Sequence, residues 1–374
     1  MSHAGRPPPL ARIPQEVACV SDYAPLAQAR LDPGAWAYLD GAAADGHTAR
    51  DNVAAFARIR LRNRVLAELS GGHARCTLFG DAFDFPILLA PVAHQGLAHP
   101  DGELATALGA AAMRAGMVAS TESSVTLERI AADAQAPLWF QLYLQHDRRF
   151  TLELVRRAES AGYRALVLTV DAPVNGARNA EQRAGFSLPA GLSAANLAGL
   201  PPAPPAVVAP GGSLFDASQV SGAPTWRDVE WLRAQTALPL VLKGITDPAD
   251  ARRALDLGAD GIGVSNHGGR VLDTQVASID ALPAVADAVD GRAVLLLDGG
   301  IRRGSDVFKA LALGADAVLV GRSYVHALAA AGAPGVAHVL HLLRVELETT
   351  MALCGCRTRE DIDRTRLVEA SAGG

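Results

Sequence analysis

The chain has 374 residues, of which 49% are hydrophobic and 20% are charged. A sequence of this size and composition can bury a large core, which excludes global disorder. The formal net charge of -5 provides no basic surface and argues against nucleic acid as a partner. The four cysteines do not form a disulfide framework at this length, and Cys354-Gly355-Cys356 lacks the spacing of a metal site, so we predict no bound metal.

Residues 1–14 are rich in Pro and Ala and contain no apolar run long enough for a signal peptide. No stretch of the sequence approaches the roughly 20 apolar residues that a membrane helix requires. We therefore expect a soluble cytoplasmic protein without a membrane partner.

Eight short apolar runs follow one another along the chain and predict β-strands near residues 87, 117, 138, 165, 240, 261, 293 and 317. The segments between them have the punctuation of helices. Residues 246–258 are the clearest case, because Asp247 can cap the helix, Pro248 suits its first turn and Gly258 suits a left-handed exit. Ser305 to Gly314 repeats this design. Such helix–glycine–strand joints indicate parallel strands connected by helical crossovers.

Eight strand–helix units favour an α/β fold of the TIM (β/α)8 barrel type over an open sheet, which would more often carry an early glycine-rich dinucleotide turn. We expect residues 1–374 to form a single domain, with residues 1–75 as an N-terminal helical cover. Residues 185–225, between the fourth and fifth strands, are dense in Pro, Gly, Ala and Ser. A connection of this length is either an active-site lid or a disordered segment, and both alternatives predict mobility.

Reactive side chains fall directly after several of the apolar runs. Asp171 follows the fourth run, Lys243 ends the fifth, and Ser265-Asn266-His267 follows the sixth. Because all strands of a parallel barrel end on the same face, these residues are predicted to form one site. Lys243 lies within an apolar run, and a buried lysine is costly unless an anion or an electron-rich ligand accompanies it.

Two glycine turns that each carry an arginine predict a phosphate site. Asp298-Gly299-Gly300-Ile301-Arg302 follows the seventh run, and Gly321-Arg322 follows the eighth. Barrels commonly bind phosphate with these two loops. Free glycine N–H groups and the N-terminus of a helix both attract an anion.

The sixth loop, Ser265 to Arg270, combines a histidine with an arginine three residues later in a glycine-rich turn. A base beside a carboxylate-binding guanidinium suits proton abstraction from a hydroxy acid, with His267 as the base and Arg270 as the anchor. Asp171 can orient and stabilise such an imidazole, or it can cap the segment that follows it. The residues alone leave these two roles of Asp171 open.

At this point the sequence resembles the FMN-dependent α-hydroxy-acid oxidases and dehydrogenases. The resemblance runs from about Tyr23 to Cys356, with residues 185–225 as the clearest gap. The segments that carry it are Tyr38-Leu39-Asp40-Gly41, Pro91-Val92-Ala93, Gln141-Leu142-Tyr143, Thr169-Val170-Asp171, Leu242-Lys243-Gly244, Ser265 to Arg270, and Asp298 to Arg302. The family fold is a TIM barrel, which agrees with the strand count.

The resemblance implies a role for each matching residue. His267 takes a proton during oxidation of the substrate α-carbon, and Asp171 stabilises the resulting imidazolium. Arg270 and Arg178 bind the substrate carboxylate, while Tyr38 and Tyr143 contact its carboxylate and hydroxyl region. The residues implied to contact FMN are Pro91, Val92, Ala93, Ser120, Gln141, Thr169, Lys243 and Ser265 around the ring, and Asp298, Gly300, Arg302, Gly321 and Arg322 at the ribityl chain and phosphate. A homo-oligomer, specifically a tetramer, is also implied.

Two positions depart from the family pattern. Glu122 stands where glycolate oxidase carries a tryptophan, so it either meets a polar or cationic group on the substrate side chain or turns away to an arginine or solvent. His94 follows Ala93 and is either a second imidazole that tunes the pocket near the flavin or a plain wall residue, and the second is favoured because one acid–base group is sufficient for this reaction. Ala93 itself favours an oxidase by resemblance.

The predicted function is therefore FMN-dependent oxidation of an (S)-2-hydroxy acid with a medium or aromatic side chain. The expected products are the 2-oxo acid and hydrogen peroxide, with dioxygen as the electron acceptor. Two alternatives remain at this stage: a dehydrogenase that passes electrons to a quinone or cytochrome, and a flavin-binding barrel without turnover.

Overall fold

The computed structural model describes residues 7–201, 211–216, 220 and 222–368. Eight parallel strands close into a barrel, which confirms the predicted TIM fold. We number these barrel strands in chain order: β1 (Ile87–Leu89), β2 (Met117–Ser120), β3 (Leu138–Leu142), β4 (Leu166–Thr169), β5 (Leu240–Ile245), β6 (Gly261–Val264), β7 (Val294–Asp298) and β8 (Ala317–Val320).

The strands pair in sequence order, and β8 closes the barrel against β1 through the register Leu88↔Leu319. Between β5 and β6 the register shifts at Lys243 and Ile245. The shift is centred on Gly244, which has φ +114°, and a Cβ atom there would lie 2.5 Å from the Cβ atom of Asp171. This glycine therefore allows the ends of β4 and β5 to approach each other, which brings Asp171 and Lys243 into one site.

Helices surround the barrel and connect its strands as the sequence predicts. Asp247 caps its helix by accepting from the N–H of Ala249 at 2.7 Å, and Pro248 occupies the first turn. The α-helices of the described residues span Tyr23–Gln28, Pro33–Asp40, His47–Arg58, Gly102–Met113, Leu127–Asp133, Arg148–Ser160, Asn179–Arg183, Trp226–Arg233, Pro248–Asp256, Ser278–Val289, Gly304–Ala312 and Arg322–Leu353.

The predicted helical cover, residues 1–75, contains the α-helices Tyr23–Gln28, Pro33–Asp40 and His47–Arg58, and short strands lie within it and just after it. Arg60–Leu61 pairs with Leu367–Val368, and Cys76–Leu78 forms a hairpin with Asp81–Phe83. The hairpin packs Leu78 against the barrel interior beneath the strands. Strands of two or three residues escape a periodicity analysis because they are too short to show alternation.

The segment after β4 is packed against the barrel in its described first part. Asn196 is fully buried, and the N–H of Leu127 donates to its Oδ1 at 2.8 Å. The N–H of Ala195 donates to the carbonyl of Ser123 at 2.9 Å. Residues 185–201 thus cover the loop that follows β2. Residues 202–210, which make up most of the Pro-rich stretch, lie outside the described residues. The mobility of residues 185–225 therefore stays a prediction.

One helix among the described residues, Arg322–Leu353, is long and apolar enough to cross a membrane by length and composition. The expectation that no stretch reaches this threshold was therefore wrong. In the folded chain 56% of the most apolar 18-residue stretch of this helix is buried. Gly332, at φ 61° and ψ -146°, interrupts the helix ahead of Pro334. Ala, Val and Leu side chains raise the hydropathy of this helix. It packs closely against the helix Gly102–Met113, where a Cβ atom at Gly109 would lie 2.7 Å from the carbonyl oxygen of Ala333.

Candidate active site

A cavity of about 1020 Å³ opens at the carboxyl ends of the barrel strands. Its wall includes nearly every residue predicted for the site. These are Tyr38, Pro91, Val92, Ala93, His94, Ser120, Glu122, Gln141, Tyr143, Thr169, Arg178, Lys243, His267, Arg270, Asp298, Gly300, Arg302, Gly321 and Arg322. Two predicted residues, Asp171 and Ser265, are absent from the wall and lie behind it. The strands thus gather side chains from distant parts of the sequence on one face.

The central pair of the site is an imidazole held by a carboxylate. Nδ1 of His267 lies 2.8 Å from Oδ1 of Asp171. Asp171 is buried, which disfavours its charge, but the adjacent His267 holds the pKa of this carboxyl below its usual value. The ring of His267 lines the cavity, and its Nε2 has no hydrogen-bond partner within the described part of the chain. Asp171 therefore orients the ring, and Nε2 is left to act as a base.

The backbone of His267 adopts a left-handed conformation with φ 56°. Asn266 stabilises this turn because its Oδ1 accepts from the N–H of Gly269 at 3.2 Å. The N–H of His267 donates to Oγ of Ser265 at 3.0 Å. A non-glycine residue is costly in this region of backbone space, and such strain is typical of functional sites.

A buried cation lies beside this pair. Nζ of Lys243 is 2.8 Å from Oδ2 of Asp298 and donates to Oγ of Ser265 at 3.0 Å. Burial opposes the charge, but Asp298, and then Asp171, hold the pKa of Lys243 above its ordinary value. Ser265 donates in turn to Oδ1 of Asp298 at 2.7 Å. Ser265 is fully buried behind the wall and positions Lys243 and His267, and its contact with the cofactor stays a prediction.

The ends of β2, β3 and β4 form a continuous polar strip. Oε1 of Gln141 accepts from Oγ of Ser120 at 3.2 Å, and its Nε2 donates to Oγ1 of Thr169 at 3.1 Å. Thr121 closes the network by donating to the carbonyl of Gln141 at 2.7 Å. These bonds fix the amide orientation, so the strip presents donors and acceptors at defined positions to a planar ligand.

Two arginines follow β7 and β8 at the opposite side of the cavity. Arg322 donates to the carbonyls of Asp40, Gly41 and Gly268, at 3.1, 2.6 and 2.8 Å. The guanidinium of Arg302 donates to the carbonyl of Ile301 at 2.9 Å. Burial lowers the pKa of both guanidinium groups, and for Arg322 the charge of Arg270 lowers it further. This concentration of buried positive charge favours an anion.

Glycines shape the same region. Gly300 has φ +85°, and a Cβ atom there would lie 2.0 Å from the carbonyl oxygen of Asn52. Gly321 precedes the helix Arg322–Leu353, whose N-terminus faces the cavity. A close backbone, a helix N-terminus and two arginines match the needs of a phosphate group.

The substrate side of the cavity contains two more arginines and two tyrosines. Arg178 pairs with Oε1 of Glu181 at 2.9 Å, and its buried Nε has no partner among the described residues. Cζ of Arg270 lies 5.5 Å from the ring centre of Tyr38. Burial raises the pKa of Tyr38 to about 12. Burial, followed by the charge of Glu122, also raises the pKa of Tyr143, so both phenols keep their protons and can donate.

Glu122 and His94 lie side by side on the wall. The N–H of His94 donates to the carbonyl of Glu122 at 3.0 Å. Burial raises the pKa of Glu122 and lowers that of His94, which disfavours charge on either group. Among the described residues Glu122 takes part in no ion pair. In the same part of the chain, the buried Nδ1 of His94 has no hydrogen-bond partner. Whether Glu122 meets a polar group of the substrate side chain or turns away to an arginine or solvent stays a prediction.

Sequence reasoning missed several residues that hold the site together. Asn52 is buried and exchanges two amide hydrogen bonds of 2.8 Å with Asn266. The carbonyl of Gly41 accepts from Arg270 and Arg322, at 2.8 and 2.6 Å. Glu181 follows Arg178 at a helical spacing of three residues, and this spacing could have indicated their pairing. Asn52 offers no comparable signal in the sequence.

The residues fit FMN. The buried arginines and the Gly300 and Gly321 backbones can hold its phosphate, and the strip around Gln141 can hydrogen-bond the flavin ring. Lys243 supplies a positive charge of the kind that stabilises reduced flavin. The fold and site together define a flavin-dependent oxidoreductase.

Comparison of the sequence with a protein-family model supports the class of flavin-dependent oxidoreductase and narrows it to one family. Residues 27–369 match the model of the FMN-dependent dehydrogenase family, and the chain belongs to this family. FMN is accordingly its cofactor. The chain is 50% identical to an L-lactate oxidase of Alicycliphilus denitrificans, over 96% of this chain and 98% of that protein. It is 45% identical to a peroxisomal (S)-2-hydroxy-acid oxidase of Oryza sativa subsp. japonica, over 93% of this chain and 95% of that protein.

Solved structures give the same result. A crystal structure of mandelate oxidase with (S)-2-phenylpropionate superposes with a TM-score of 0.85 at 42% identity, covering 94% of this chain and 98% of that one. A mandelate oxidase variant with a C4a-OH-FMN adduct superposes with a TM-score of 0.83 at 42% identity, covering 92% and 98% of the two chains. Both similarities extend over the whole barrel.

The phosphate site leads to a first prediction. Replacing Arg302 with leucine should weaken FMN binding by roughly 10- to 100-fold, because a hydrogen bond between charged groups contributes about 1.5–3 kcal/mol. Titration of FMN-free protein with FMN measures the change. The matched control is Arg303→Leu, since the Arg303 side chain is 53% exposed and pairs with Glu346 outside the cavity. Equal affinities of the two variants would contradict the assignment of Arg302.

Proposed function

We propose that the protein oxidises an (S)-2-hydroxy acid to the 2-oxo acid and transfers the electrons to dioxygen, which yields hydrogen peroxide. The observation that carries the proposal is the meeting of an oriented base with two arginines on one cavity wall. His267, held by Asp171, lies with Arg178 and Arg270 around the same space. The L-lactate oxidase, (S)-2-hydroxy-acid oxidase and mandelate oxidase that resemble this chain support it.

The roles of the side chains follow from their chemistry. Arg270 and Arg178 are placed to bind the substrate carboxylate, since guanidinium groups suit bidentate contact with carboxylates. Tyr143 and Tyr38 keep their protons and donate hydrogen bonds to the substrate oxygens. These contacts bring the α-carbon and its hydroxyl group within reach of His267.

Oxidation of the hydroxy acid releases two electrons and two protons. Nε2 of His267 accepts one proton, and Asp171 stabilises the imidazolium that forms, because its buried carboxylate is 2.8 Å from Nδ1. FMN, when bound, would supply the acceptor for the two electrons and the second proton. Lys243 provides a fixed positive charge near the site where negative charge develops.

The choice of electron acceptor is the part of the proposal that most needs an experiment. The protein is reduced anaerobically with a hydroxy acid and then mixed with air-saturated buffer. Rapid reoxidation with one equivalent of peroxide per flavin supports the oxidase. Slow reoxidation that a quinone or cytochrome accelerates would establish the dehydrogenase instead. A flavin that no hydroxy acid reduces would favour a barrel without turnover.

We further propose a medium or aromatic substrate side chain, because Glu122 replaces the bulky tryptophan of the glycolate-specific pattern. The composition and the net charge of -5 support a cytoplasmic protein without nucleic-acid or membrane partners. A homotetramer is proposed from family resemblance. Sedimentation velocity measures the oligomeric state directly.

A further inference from the structure

We infer that Glu122 forms a subsite for a hydrogen-bond donor at the end of the substrate side chain, so that the preferred hydroxy acids carry a terminal hydroxyl or ammonium group. This inference rests on the proposed function and adds a substrate class to it. It starts from a carboxylate that the fold has placed in the cavity without a partner. Glu122 lies two residues after the end of β2 and lines the same cavity as His267, Arg178 and Arg270.

The carboxylate of Glu122 is poorly compensated in the protein. Among the described residues it takes part in no ion pair, and the one hydrogen bond of its own N–H goes to Oγ of Ser120, at 3.1 Å. The charge of Arg178 acts on the Glu122 carboxylate, but Arg178 is paired with Glu181 at 2.9 Å. In our assignment Arg178 also binds the substrate carboxylate. Glu122 is half-buried and lines the cavity, so its carboxylate is available to a ligand that supplies a donor.

The wall that carries Glu122 is rigid. Oε1 of Glu103 accepts from the N–H of Gln95 at 3.1 Å and from the N–H of Ser124 at 2.9 Å. Glu103 is fully buried and so ties the loop after β1 to the loop after β2. These two loops carry His94 and Glu122. The backbone on either side of the wall is therefore fixed before any ligand binds, which reduces the entropic cost of recognition.

His94 adds a second polar group to this wall. Its backbone is in the left-handed region with φ 52°, as at His267, and its ring centre is 6.0 Å from that of Tyr38. An apolar residue would pack there without leaving a buried nitrogen unpaired. Instead the wall offers an imidazole next to a carboxylate, and this combination suits a polar substrate end rather than an apolar one.

The inference is tested with matched pairs of substrates that differ only at the side-chain end. One pair is mandelate and 4-hydroxymandelate, and the other is 2-hydroxyhexanoate and 6-amino-2-hydroxyhexanoate. For each pair the ratio of kcat/KM values is measured in the wild type, in Glu122→Leu and in Glu122→Gln. The control is Glu128→Gln, because Glu128 pairs with Arg157 on the outside of the barrel.

In the wild type we expect the donor-bearing member of at least one pair to be favoured by roughly 10- to 100-fold, the effect of a hydrogen bond to a charged group. Glu122→Leu should bring this ratio close to one. Glu122→Gln, which is isosteric and keeps an acceptor oxygen, should retain part of a preference for hydroxyl and lose a preference for ammonium. Glu128→Gln should keep the wild-type ratios.

Ratios that are the same in the wild type and in Glu122→Leu would overturn the subsite while leaving the oxidase proposal intact. Wild-type ratios near one would also overturn the subsite and leave the oxidase proposal intact. If no member of either pair reduces the flavin, the proposed function itself fails and the subsite fails with it. The apolar members separate these cases, because their oxidation does not depend on the subsite.

Discussion

Replacing His267 with asparagine is expected to lower kcat for hydroxy-acid oxidation by roughly 10²- to 10⁴-fold, the usual contribution of a positioned acid–base group. The imidazole is the candidate base because Asp171 occupies its Nδ1 at 2.8 Å and its ring lines the cavity. The rate is measured as the anaerobic loss of oxidised-flavin absorbance in a stopped-flow instrument.

The His267→Asn variant should still bind FMN, since no phosphate-site residue is changed. The matched control is His341→Asn, because His341 is exposed on the long helix Arg322–Leu353 and is not part of the cavity wall. The control should retain the wild-type kcat. A His267→Asn variant within tenfold of the wild-type rate would show that another group removes the proton.

Replacing Lys243 with methionine is expected to lower the free energy of unfolding by about 3–5 kcal/mol, because it leaves the charge of Asp298 buried and unpaired. Nζ of Lys243 is 2.8 Å from that carboxylate, and both side chains are less than one-tenth exposed. Urea unfolding of FMN-free protein measures the loss without a contribution from altered cofactor affinity.

The double variant Lys243→Met with Asp298→Asn separates stability from chemistry. Removing both charges should restore most of the lost stability, since an unpaired buried charge causes the loss. Flavin reduction should stay slow, because the positive charge beside the flavin is still missing. If the double variant is no more stable than Lys243→Met alone, the ion pair is not the source of the effect.

The position of the chemistry could be predicted from the sequence because a parallel barrel has a simple geometry. Once eight apolar runs are recognised, the residues that follow them must share one face. Asp171 and His267 are 96 residues apart in the sequence, and Lys243 lies between them. All three nevertheless belong to one hydrogen-bonded group. The glycine turns after β7 and β8 were predicted on the same basis.

The contacts behind the cavity wall could not be predicted in this way. Asn52 is a polar residue in an ordinary helix, and only the folded chain shows that it is buried against Asn266. Ser265 directly follows a strand, as a ligand-binding residue would, but its Oγ connects Lys243 to Asp298. Such roles depend on side-chain direction and on long-range pairing, neither of which hydrophobic periodicity reports.

In our assignment this cavity binds FMN, and a 2-hydroxy acid reduces it there. The most direct measurement is the visible spectrum of the purified protein, supplied with FMN, before and after anaerobic addition of (S)-lactate or (S)-mandelate. We expect the spectrum of bound oxidised flavin, and we expect it to bleach on addition of one of these acids. Protein that stays colourless and does not take up added FMN would contradict it.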